Sequence, residues 1–377
     1  MKIAVIEIEC HAEVLRSTIL LFSKVPQYPI TVFTTDSIYI ETGLTIKDFP
    51  NVEIVIIPDS KNTLRFLIDN LDFINQHSYL LINTLQNNFR FFNQLKIRIP
   101  IYLRVHNVNF YWSKVFQLKK YRLSSYKLIL KEFYGLEFIH RKQFLSKVTA
   151  FLFPTENLKK YALETYHLNP TKTAILPFTY CLDYPNKKIE NDPKMIVIPG
   201  KLESKRKDFE LIYTFAKQLV SIIKFDIELV FLGESLTIES NNLLEILRGL
   251  STDKLKITFF NSLVDPITFE EYFSKADLVF CPMIVDTVFN LSKEKYGQSK
   301  VSGGVNDAIH YGKPIIISKE YPFNEAIVNE CITFESIPDL VEKVTNYLLQ
   351  PSNKIESNSN TIYTIENQLN QLQKLFK

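Results

Sequence analysis

The sequence predicts an α/β protein with two doubly wound domains, each built on a parallel β-sheet. Three observations lead to this prediction. The chain has 377 residues, which is more than one hydrophobic core usually supports. Short runs rich in Ile, Val and Phe recur along it, and each is followed by a longer segment with helical periodicity. A polar segment without periodicity divides these repeats into two sets, so each set is expected to form its own sheet.

The apolar runs indicate the strands. In the first half they are "KIAVIEIE", "ITVFTTD", "VEIVIIP", "SYLLINT", "PIYLRVH" and "AFLFPT". In the second half they are "KMIVIPG", "ELVFLGE", "KITFFNS", "DLVFCPM", "PIIIS" and "CITFES". Because most of these runs are apolar at consecutive positions, both faces of each strand should be covered, as in parallel sheets with helices on both sides. Segments such as "DFELIYTFAKQLVSII" supply those helices.

The predicted domain boundary lies in "CLDYPNKKIENDPK", residues 181–194, which is polar and contains two prolines. We therefore predict a Rossmann-like N-terminal domain over residues 1–185 and a Rossmann-like C-terminal domain over residues 192–350. Residues 351–377 are predicted to be a linker followed by a C-terminal helix, "IYTIENQLNQLQKLF".

Composition excludes several classes of protein. The net charge of +3 is too small to indicate nucleic-acid binding from bulk electrostatics, so no nucleic-acid partner is expected. The four cysteines show no metal-ligand spacing, no Asp-x-Asp occurs, and no metal site is predicted. "MKIAVIEIEC" predicts a first strand rather than a signal peptide, and no run of about 18 uncharged apolar residues occurs. These features predict a cytoplasmic protein.

One basic, aromatic segment, residues 108–147, interrupts the alternation of strands and helices. It is compatible with two interpretations. Its helices can pack their aromatic side chains on the first sheet and leave a solvated basic face. Alternatively, a basic amphipathic helix can lie on an anionic membrane, which would make the protein peripheral on the inner face of that membrane.

A glycine cluster indicates a ligand site in the second half. The chain has nine glycines, and four fall within sixteen residues: Gly297, Gly303, Gly304 and Gly312. In "KVSGGVNDAIHYGKP", Lys300 brings a charge, Ser302 is a candidate N-cap, and Gly303 and Gly304 leave the first N–H groups of a helix unobstructed. Gly312 is expected to end that helix. This layout suits a phosphate, and the alternative is a tight loop without a ligand.

A second basic cluster follows the first strand of the same half. In "PGKLESKRKDF", Gly200 turns the chain, and Lys201, Lys205, Arg206 and Lys207 gather at the carboxyl end of the strand. Such a run can be a solvated surface or an anion site. Two phosphate-suited loops at one edge of a sheet suit a diphosphate better than a single phosphate.

These two motifs, in this order, resemble those of glycosyltransferases with the GT-B fold, particularly glycosyltransferase family 4. The C-terminal domains of that family open with a strand, a glycine and two basic residues, matched here by Gly200, Lys201 and Arg206 or Lys207. "NDAIHYGKPIIIS" resembles the second half of a later family signature. "AFLFPTENLKKYALETYHLNPTKTAILPF" is similar to the end of the family's first domain. The resemblance is strongest over about residues 149–350.

The chain also departs from the family pattern. Asp307 stands in place of the second Glu of the family signature, and Ser299 occupies the position of the first. "FTY" replaces the usual Asn-Gly after the strand "AILP", and no glycine-rich loop follows the first strand.

The resemblance implies a GT-B enzyme whose two domains face each other across a cleft. It implies a retaining hexosyltransferase of polysaccharide biosynthesis, which moves a sugar from a nucleotide-diphosphate sugar to a glycan, lipid-linked or polysaccharide acceptor. Lys201 and Arg206 would neutralise the leaving diphosphate without a metal or cofactor, and Asp307 would accept from the ribose hydroxyls. The full nucleotide-binding set is Gly200, Lys201, Arg206, Lys207, Ser299, Lys300, Ser302, Gly303, Gly304 and Asp307.

Two histidines stand at carboxyl ends of predicted strands in the first half. His106 ends "PIYLRVH", in a position where the family often has a His, and it is the candidate catalytic residue. His11 follows the first strand directly, beside Glu13. Both residues also have a purely structural interpretation.

Three other functions compete with this one. A sugar-nucleotide epimerase of the same fold would bind the same donor without needing an acceptor. A non-catalytic two-domain sugar-binding protein of the periplasmic-receptor type would need a secretion signal. A dinucleotide-dependent dehydrogenase is disfavoured because no GxGxxG follows any predicted strand.

Overall fold

A computed structural model gives the fold of the chain. It describes residues 1–58, 62–113, 137–182, 193–235, 237–260, 262–323, 331–349 and 362–376. The chain divides into two compact units. Unit 1 consists of Met1–Phe178, Val288–Val301 and Ile365–Lys377, and unit 2 consists of Thr179–Thr287 and Ser302–Thr364.

Unit 1 contains a seven-stranded parallel sheet in the order β3-β2-β1-β4-β5-β6-β7. Its strands are β1 Ile3–Glu7, β2 Ile30–Thr35, β3 Val52–Ile57, β4 Tyr79–Ile82, β5 Ile101–Arg104, β6 Ala150–Phe153 and β7 Thr173–Ile175. In register, Ile3 of β1 lies between Ile30 of β2 and Tyr79 of β4. The central strands are buried along their whole length, as the uninterrupted apolar runs predict.

The helices of unit 1 alternate with these strands. They are α1 Ala12–Ser23, α2 Asp36–Thr42, α3 Thr63–Asp69, α4 Leu71–Ile74, α5 Phe89–Gln94, α6 Val108–Trp112, α7 Glu137–Lys147 and α8 Glu156–Tyr166. Short 3-10 helices span Ile46–Asp48 and Pro170–Lys172. Several starts are fixed by side-chain caps: Thr155, for example, accepts from the backbone N–H of Leu158 and begins α8.

Unit 2 contains a six-stranded parallel sheet in the order β10-β9-β8-β11-β14-β15. Its strands are β8 Lys194–Pro199, β9 Ile227–Leu232, β10 Leu255–Phe259, β11 Leu278–Cys281, β14 Ile315–Ser318 and β15 Cys331–Phe334. β12 Asp286–Phe289 and β13 Ser292–Lys295 form a separate two-stranded sheet, and β13 belongs to unit 1. The helices are α9 Phe209–Ile222, α10 Ile238–Arg248, α11 Pro266–Lys275, α12 Gly303–His310 and α13 Ile337–Leu349. A last helix, α14 Ile365–Leu375, belongs to unit 1.

The order of the first six strands is the same in both units. Numbered within its own unit, each sheet runs 3-2-1-4-5-6, which is the doubly wound order of dinucleotide-binding domains. The predicted fold class, two Rossmann-like α/β domains, is confirmed. In unit 2 a large buried cluster covers one face of the sheet, where Phe215 of α9 packs edge-on against Phe280 of β11 at a centroid distance of 5.3 Å.

The division into units differs from the predicted domain ranges: unit 1 ends its first segment at Phe178, and unit 2 extends to Thr364. Val288–Val301, inside the predicted C-terminal domain, belongs to unit 1. The terminal helix α14 also belongs to unit 1, where Leu375 O accepts from the Tyr102 hydroxyl at 3.1 Å and the Phe376 ring packs on Tyr79 and Tyr102. Both placements depend on contacts distant in sequence. Most of the predicted linker, residues 183–192, lies outside the described residues.

The basic aromatic segment 108–147 is described only at its two ends, α6 and α7, and residues 114–136 lie outside the described part. At these ends the aromatic side chains point inward: Phe110 and Phe144 are fully buried. The Arg141 guanidinium lies over the Phe110 ring at 4.4 Å. Among the described residues, none of the helices combines the length and the apolar character that a membrane span requires.

Candidate functional site

Three elements of unit 2 converge where its strand order reverses, between β8 and β11. They are the end of β8, the end of β11 and the first turn of α12. A Cβ added at Gly304 would lie 3.0 Å from Pro199 Cγ and 3.5 Å from Cys281 Sγ, so the helix start rests directly on both strand ends. Ligands of open α/β sheets bind at this switch point, outside the carboxyl ends of the strands.

The loop after β8 is held by close backbone contact with the loop after β9. Gly200 has a φ of +87°, and its N–H donates to Leu232 O at 2.9 Å. A Cβ at Gly233 would lie 2.1 Å from Gly200 O, a distance that no side chain can occupy. Both glycines are therefore required by the conformation and the close approach of the backbone.

The basic residues of this loop have different environments. Lys207 is buried, and its ammonium donates to Pro199 O at 2.6 Å. Burial lowers the pKa of Lys207 to about 8, although Cys281 and Asp307 nearby favour its charged form. Lys201 and Arg206 are exposed, and Arg206 Nε forms an ion pair with Glu203 Oε2 at 3.2 Å. The sequence does not distinguish these lysines, because burial of Lys207 depends on its contact with the strand end.

The first turn of α12 presents backbone donors next to this loop. Ser302 caps the helix, and its side chain accepts from Val305 N at 3.4 Å, as predicted. The amides of Gly303 and Gly304 have no acceptor within an α-helix, which leaves them for solvent or a ligand. A Cβ at Gly303 would meet nothing within 4 Å. The helix ends before Gly312, which has a φ of +59°, as also predicted.

The two glycines of this turn are not equivalent. Both were expected to leave space for a ligand, but only Gly303 faces open space. Gly304 instead packs on Pro199 and Cys281, so its lack of a side chain serves the close approach of α12 to the sheet. Asp307, one turn further along the helix, is half-buried and close enough to Lys207 to influence its pKa.

Two members of the predicted nucleotide-binding set, Ser299 and Lys300, belong to unit 1 rather than to the unit that carries α12. Ser299 is buried, its hydroxyl accepts from Lys295 N at 2.9 Å, and its carbonyl accepts from Val108 N at 2.7 Å. The Lys300 ammonium donates to the Asn107 side chain and lies over the Phe289 ring at 4.6 Å. The other eight members lie in unit 2: Gly200, Lys201, Arg206, Lys207, Ser302, Gly303, Gly304 and Asp307.

Unit 1 carries a buried polar cluster at the equivalent edge of its own sheet. Glu7, the last residue of β1, is fully buried, and its Oε2 accepts from the Thr84 hydroxyl at 2.6 Å. Its Oε1 accepts from Glu9 N at 3.1 Å. Burial raises the pKa of Glu7 to about 7. A Glu within the apolar run "IAVIEIE" is the sequence signal for this cluster, but Glu7 was not among the predicted site residues.

His106, the predicted catalytic residue, lies in this cluster but is buried. Its Nε2–H donates to Asn83 O at 2.8 Å. Burial, together with the charge of His11, holds the pKa of His106 well below its usual value, so the ring is neutral. His11 stacks on it with ring centroids 4.4 Å apart and planes at 18°. The structure therefore brings together the two histidines that the sequence places 95 positions apart.

A second buried carboxylate, Glu294 of β13, was also missed. Its two oxygens accept from the backbone N–H groups of Phe110, at 2.8 Å, and Asn109, at 3.4 Å, so it caps the first turn of α6. Burial raises the pKa of Glu294 to about 7. Only the tertiary position of β13 in unit 1 reveals this role.

Among the described residues, no group of three or more His, Cys, Asp or Glu side chains is placed to hold a metal ion.

Comparison with known proteins supports the fold. No family model matches the chain, and no curated protein matches it. HepE of Anabaena, solved with UDP and glucose, aligns with a TM-score of 0.63 and 12% identity over 100% of this chain and 99% of its own. A glycosyltransferase of Rickettsia africae aligns with a TM-score of 0.58 and 12% identity over 100% and 96%. The UDP-GlcNAc 2-epimerase of Neisseria meningitidis, bound to UDP-GlcNAc, aligns with a TM-score of 0.53 and 12% identity over 100% and 99%.

Proposed function

We propose that this protein is a glycosyltransferase that binds a nucleotide-diphosphate sugar at the carboxyl edge of the unit 2 sheet. It transfers a hexosyl group to a hydroxyl of a glycan, lipid-linked or polysaccharide acceptor. The observation that carries the proposal is the convergence of the β8 loop, the end of β11 and the first turn of α12. There, the amides of Gly303 and Gly304 stand beside a basic loop, and Gly303 faces open space.

These groups suit the chemistry of a leaving diphosphate. As the bond between the sugar and the phosphate breaks, negative charge develops on the diphosphate and must be stabilised. The N–H groups at a helix start carry partial positive charge and bind phosphate oxygens. Lys207 adds a desolvated positive charge, and the exposed Lys201 and Arg206 can close on the outer oxygens. Asp307 is suited to accept from the ribose hydroxyls.

The solved structures of similar fold support a nucleotide-sugar ligand. HepE was solved with UDP and glucose, and the Neisseria epimerase with UDP-GlcNAc. We therefore expect nucleotide diphosphates, UDP among them, to raise the Tm of this protein, and their sugar conjugates to be consumed.

The test is a thermal-shift screen of nucleoside diphosphates and nucleotide sugars, followed by incubation of each binder with and without acceptor hydroxyls. A transferase releases free nucleotide faster when an acceptor is added. An epimerase instead converts the sugar on the nucleotide without any acceptor, and that result would replace the proposed function. If no compound of the panel shifts the Tm, the proposed donor site is wrong.

We further propose that turnover needs no divalent metal, because side-chain charges and helix amides can stabilise the diphosphate. Transfer rates should be unchanged after treatment with EDTA and after addition of Mn²⁺ or Mg²⁺. Loss of activity on chelation, restored by one of these ions, would contradict this prediction.

A further inference from the structure

We propose that a nucleoside diphosphate bound at the first turn of α12 restrains the segment through which the chain enters unit 2, and that His310 in the last turn of α12 makes this connection. The inference rests on the proposed donor site and concerns what its occupancy controls. The helix has eight residues, so its two ends are roughly 12 Å apart. A ligand at one end and the entering chain at the other therefore contact the same two turns of helix.

The two outer passages of the chain through unit 2 meet at the C-terminal end of α12. The chain first enters unit 2 at Thr179 and finally leaves it after Thr364. Within unit 2 these passages are bonded to each other, because Cys181 N donates to Tyr363 O at 2.8 Å. A Cβ at Gly312, just after the helix, would lie 3.6 Å from Cys181 Sγ. We call residues 179–182 the entry segment.

His310 holds the entry segment with both its backbone and its ring. Its carbonyl accepts from Leu182 N at 2.9 Å. Its Nδ1 lies 2.8 Å from Tyr180 O, and since a carbonyl only accepts, Nδ1 carries the hydrogen and donates. The Thr179 hydroxyl lies 3.1 Å from the same nitrogen, and the Tyr180 ring packs edge-on against the imidazole. Three of the four residues of the entry segment thus contact this one residue.

The contacts between His310 and the entry segment are shielded from water. Thr179 is 6% exposed and Tyr180 is 2% exposed. Buried polar groups that lose their partners cost free energy unless water reaches them. The entry segment therefore separates from His310 only in an opening that also exposes the last turn of α12.

An opening of the last turn should involve the first turn as well. An isolated helix shorter than about 12–15 residues is only marginally stable, so α12 depends on its packing. Val305, Ala308 and Ile309 are its buried residues, and they lie between the diphosphate site and His310. Loss of this packing removes the helical start at Gly303 and Gly304 that the ligand requires. Segments that open together in this way are the cooperative units seen in amide exchange.

This coupling has a defined magnitude. A ligand that binds only the closed form lowers the population of the open form by the factor 1 + [L]/Kd, which is about 10² when the ligand is at 100 times its Kd. Amides that exchange with solvent through this opening slow by the same factor. The reporters are the amides of Cys181 and Leu182, which are bonded inside unit 2. The internal control is the amide of Leu176, which donates to Phe153 O inside unit 1.

The experiment measures amide exchange of the full chain with and without UDP, or another nucleoside diphosphate that binds, at 100 times its Kd. In wild type, exchange at Cys181 and Leu182 should slow by up to about 10²-fold, and exchange at Leu176 should not change. Calorimetry on the same samples gives the Kd.

Three variants test the role of His310. His310→Leu removes the ring donor and should lose most of the slowing, while its Kd for UDP stays near that of wild type because the closed form still predominates. His310→Asn keeps an N–H donor for Tyr180 O and should retain the slowing. His140→Leu, a matched histidine substitution in a helix of unit 1, should behave as wild type.

Each opposite result has one meaning. Full slowing in His310→Leu overturns the role of His310. Equal slowing at Leu176 and at the entry segment of wild type would show a general stabilisation of the protein, and unchanged exchange at the entry segment of UDP-bound wild type would show no coupling; either result overturns the proposal without any variant. Failure of wild type to bind any nucleoside diphosphate in calorimetry would instead overturn the proposed donor site, and this inference with it.

Discussion

Replacing Gly303 by Val should abolish the binding of nucleoside diphosphates while leaving the Tm of the free protein near that of wild type. The Cβ of residue 303 would meet nothing within 4 Å, so the protein itself has room for the side chain. The φ of Gly303 is not in the left-handed region, and Val has a better helix propensity than Gly. The added methyl groups would stand where a diphosphate must approach the amides. We therefore expect the affinity to fall at least about 10²-fold, which corresponds to a loss of roughly 2.7 kcal/mol in binding free energy.

The matched control is Gly304→Ala in the same turn. Its Cβ would lie 3.0 Å from Pro199 Cγ, a tight contact that the Pro199 ring or α12 must relieve by moving a few tenths of an ångström. Overpacking of this kind costs about 1–3 kcal/mol, and we expect a lower Tm in the absence of any ligand. Calorimetry with UDP and thermal unfolding without it separate the two effects. Normal affinity in Gly303→Val would show that the diphosphate binds elsewhere, and destabilisation of Gly303→Val in the free protein would assign this glycine to packing as well.

The contrast between these two glycines shows what the sequence could and could not predict. Adjacent glycines in "SGGV" predict a helix start, a cap at Ser302 and a phosphate-suited turn, because these depend on local conformation and capping. Which glycine faces open space depends on where Pro199 lies, more than a hundred positions earlier in the chain. Local patterns contain no information on such a contact.

The same reasoning applies to unit 1. Alternating apolar and helical segments predict the strands and the doubly wound order, because these follow from burial and from the handedness of strand connections. The assignment of Val288–Val301 to unit 1 depends on individual tertiary contacts, such as Glu294 capping α6. The approach of His11 to His106 also depends on tertiary structure, although each histidine was already notable for its position at a strand end.

Lys207 should be the most important basic side chain of the donor site, although it is the least exposed of its cluster. Lys207→Met should weaken the binding of nucleoside diphosphates by about 10- to 10²-fold, because a charge-assisted contact in a desolvated position is worth roughly 1.5–3 kcal/mol. Lys205→Met, at an exposed position two residues earlier, is the matched control and should change affinity less than about threefold, as expected for a solvated charge. Equal affinities for wild type and Lys207→Met would contradict the assignment.

The pH dependence of the affinity for UDP gives a second, independent test of the role of Lys207. Its pKa in the folded protein is about 8, compared with 10.5 for an unperturbed lysine. Wild-type affinity for UDP should therefore fall as pH rises above about 8, since the free protein loses the charge that the diphosphate requires; Lys207→Met should lack this fall.

The free energy of unfolding should change with pH in the direction opposite to the affinity for UDP. Between pH 8 and 10.5 the unfolded chain binds a proton that the folded protein has released, so this group makes wild type more stable as pH rises through that window. Relative to Lys207→Met, wild type should gain about 3 kcal/mol in its free energy of unfolding across the window. Chemical denaturation of both proteins at several pH values measures the difference. A difference that stays constant with pH would mean that Lys207 keeps its ordinary pKa, and that the ammonium is solvated rather than held against Pro199 O at the end of β8.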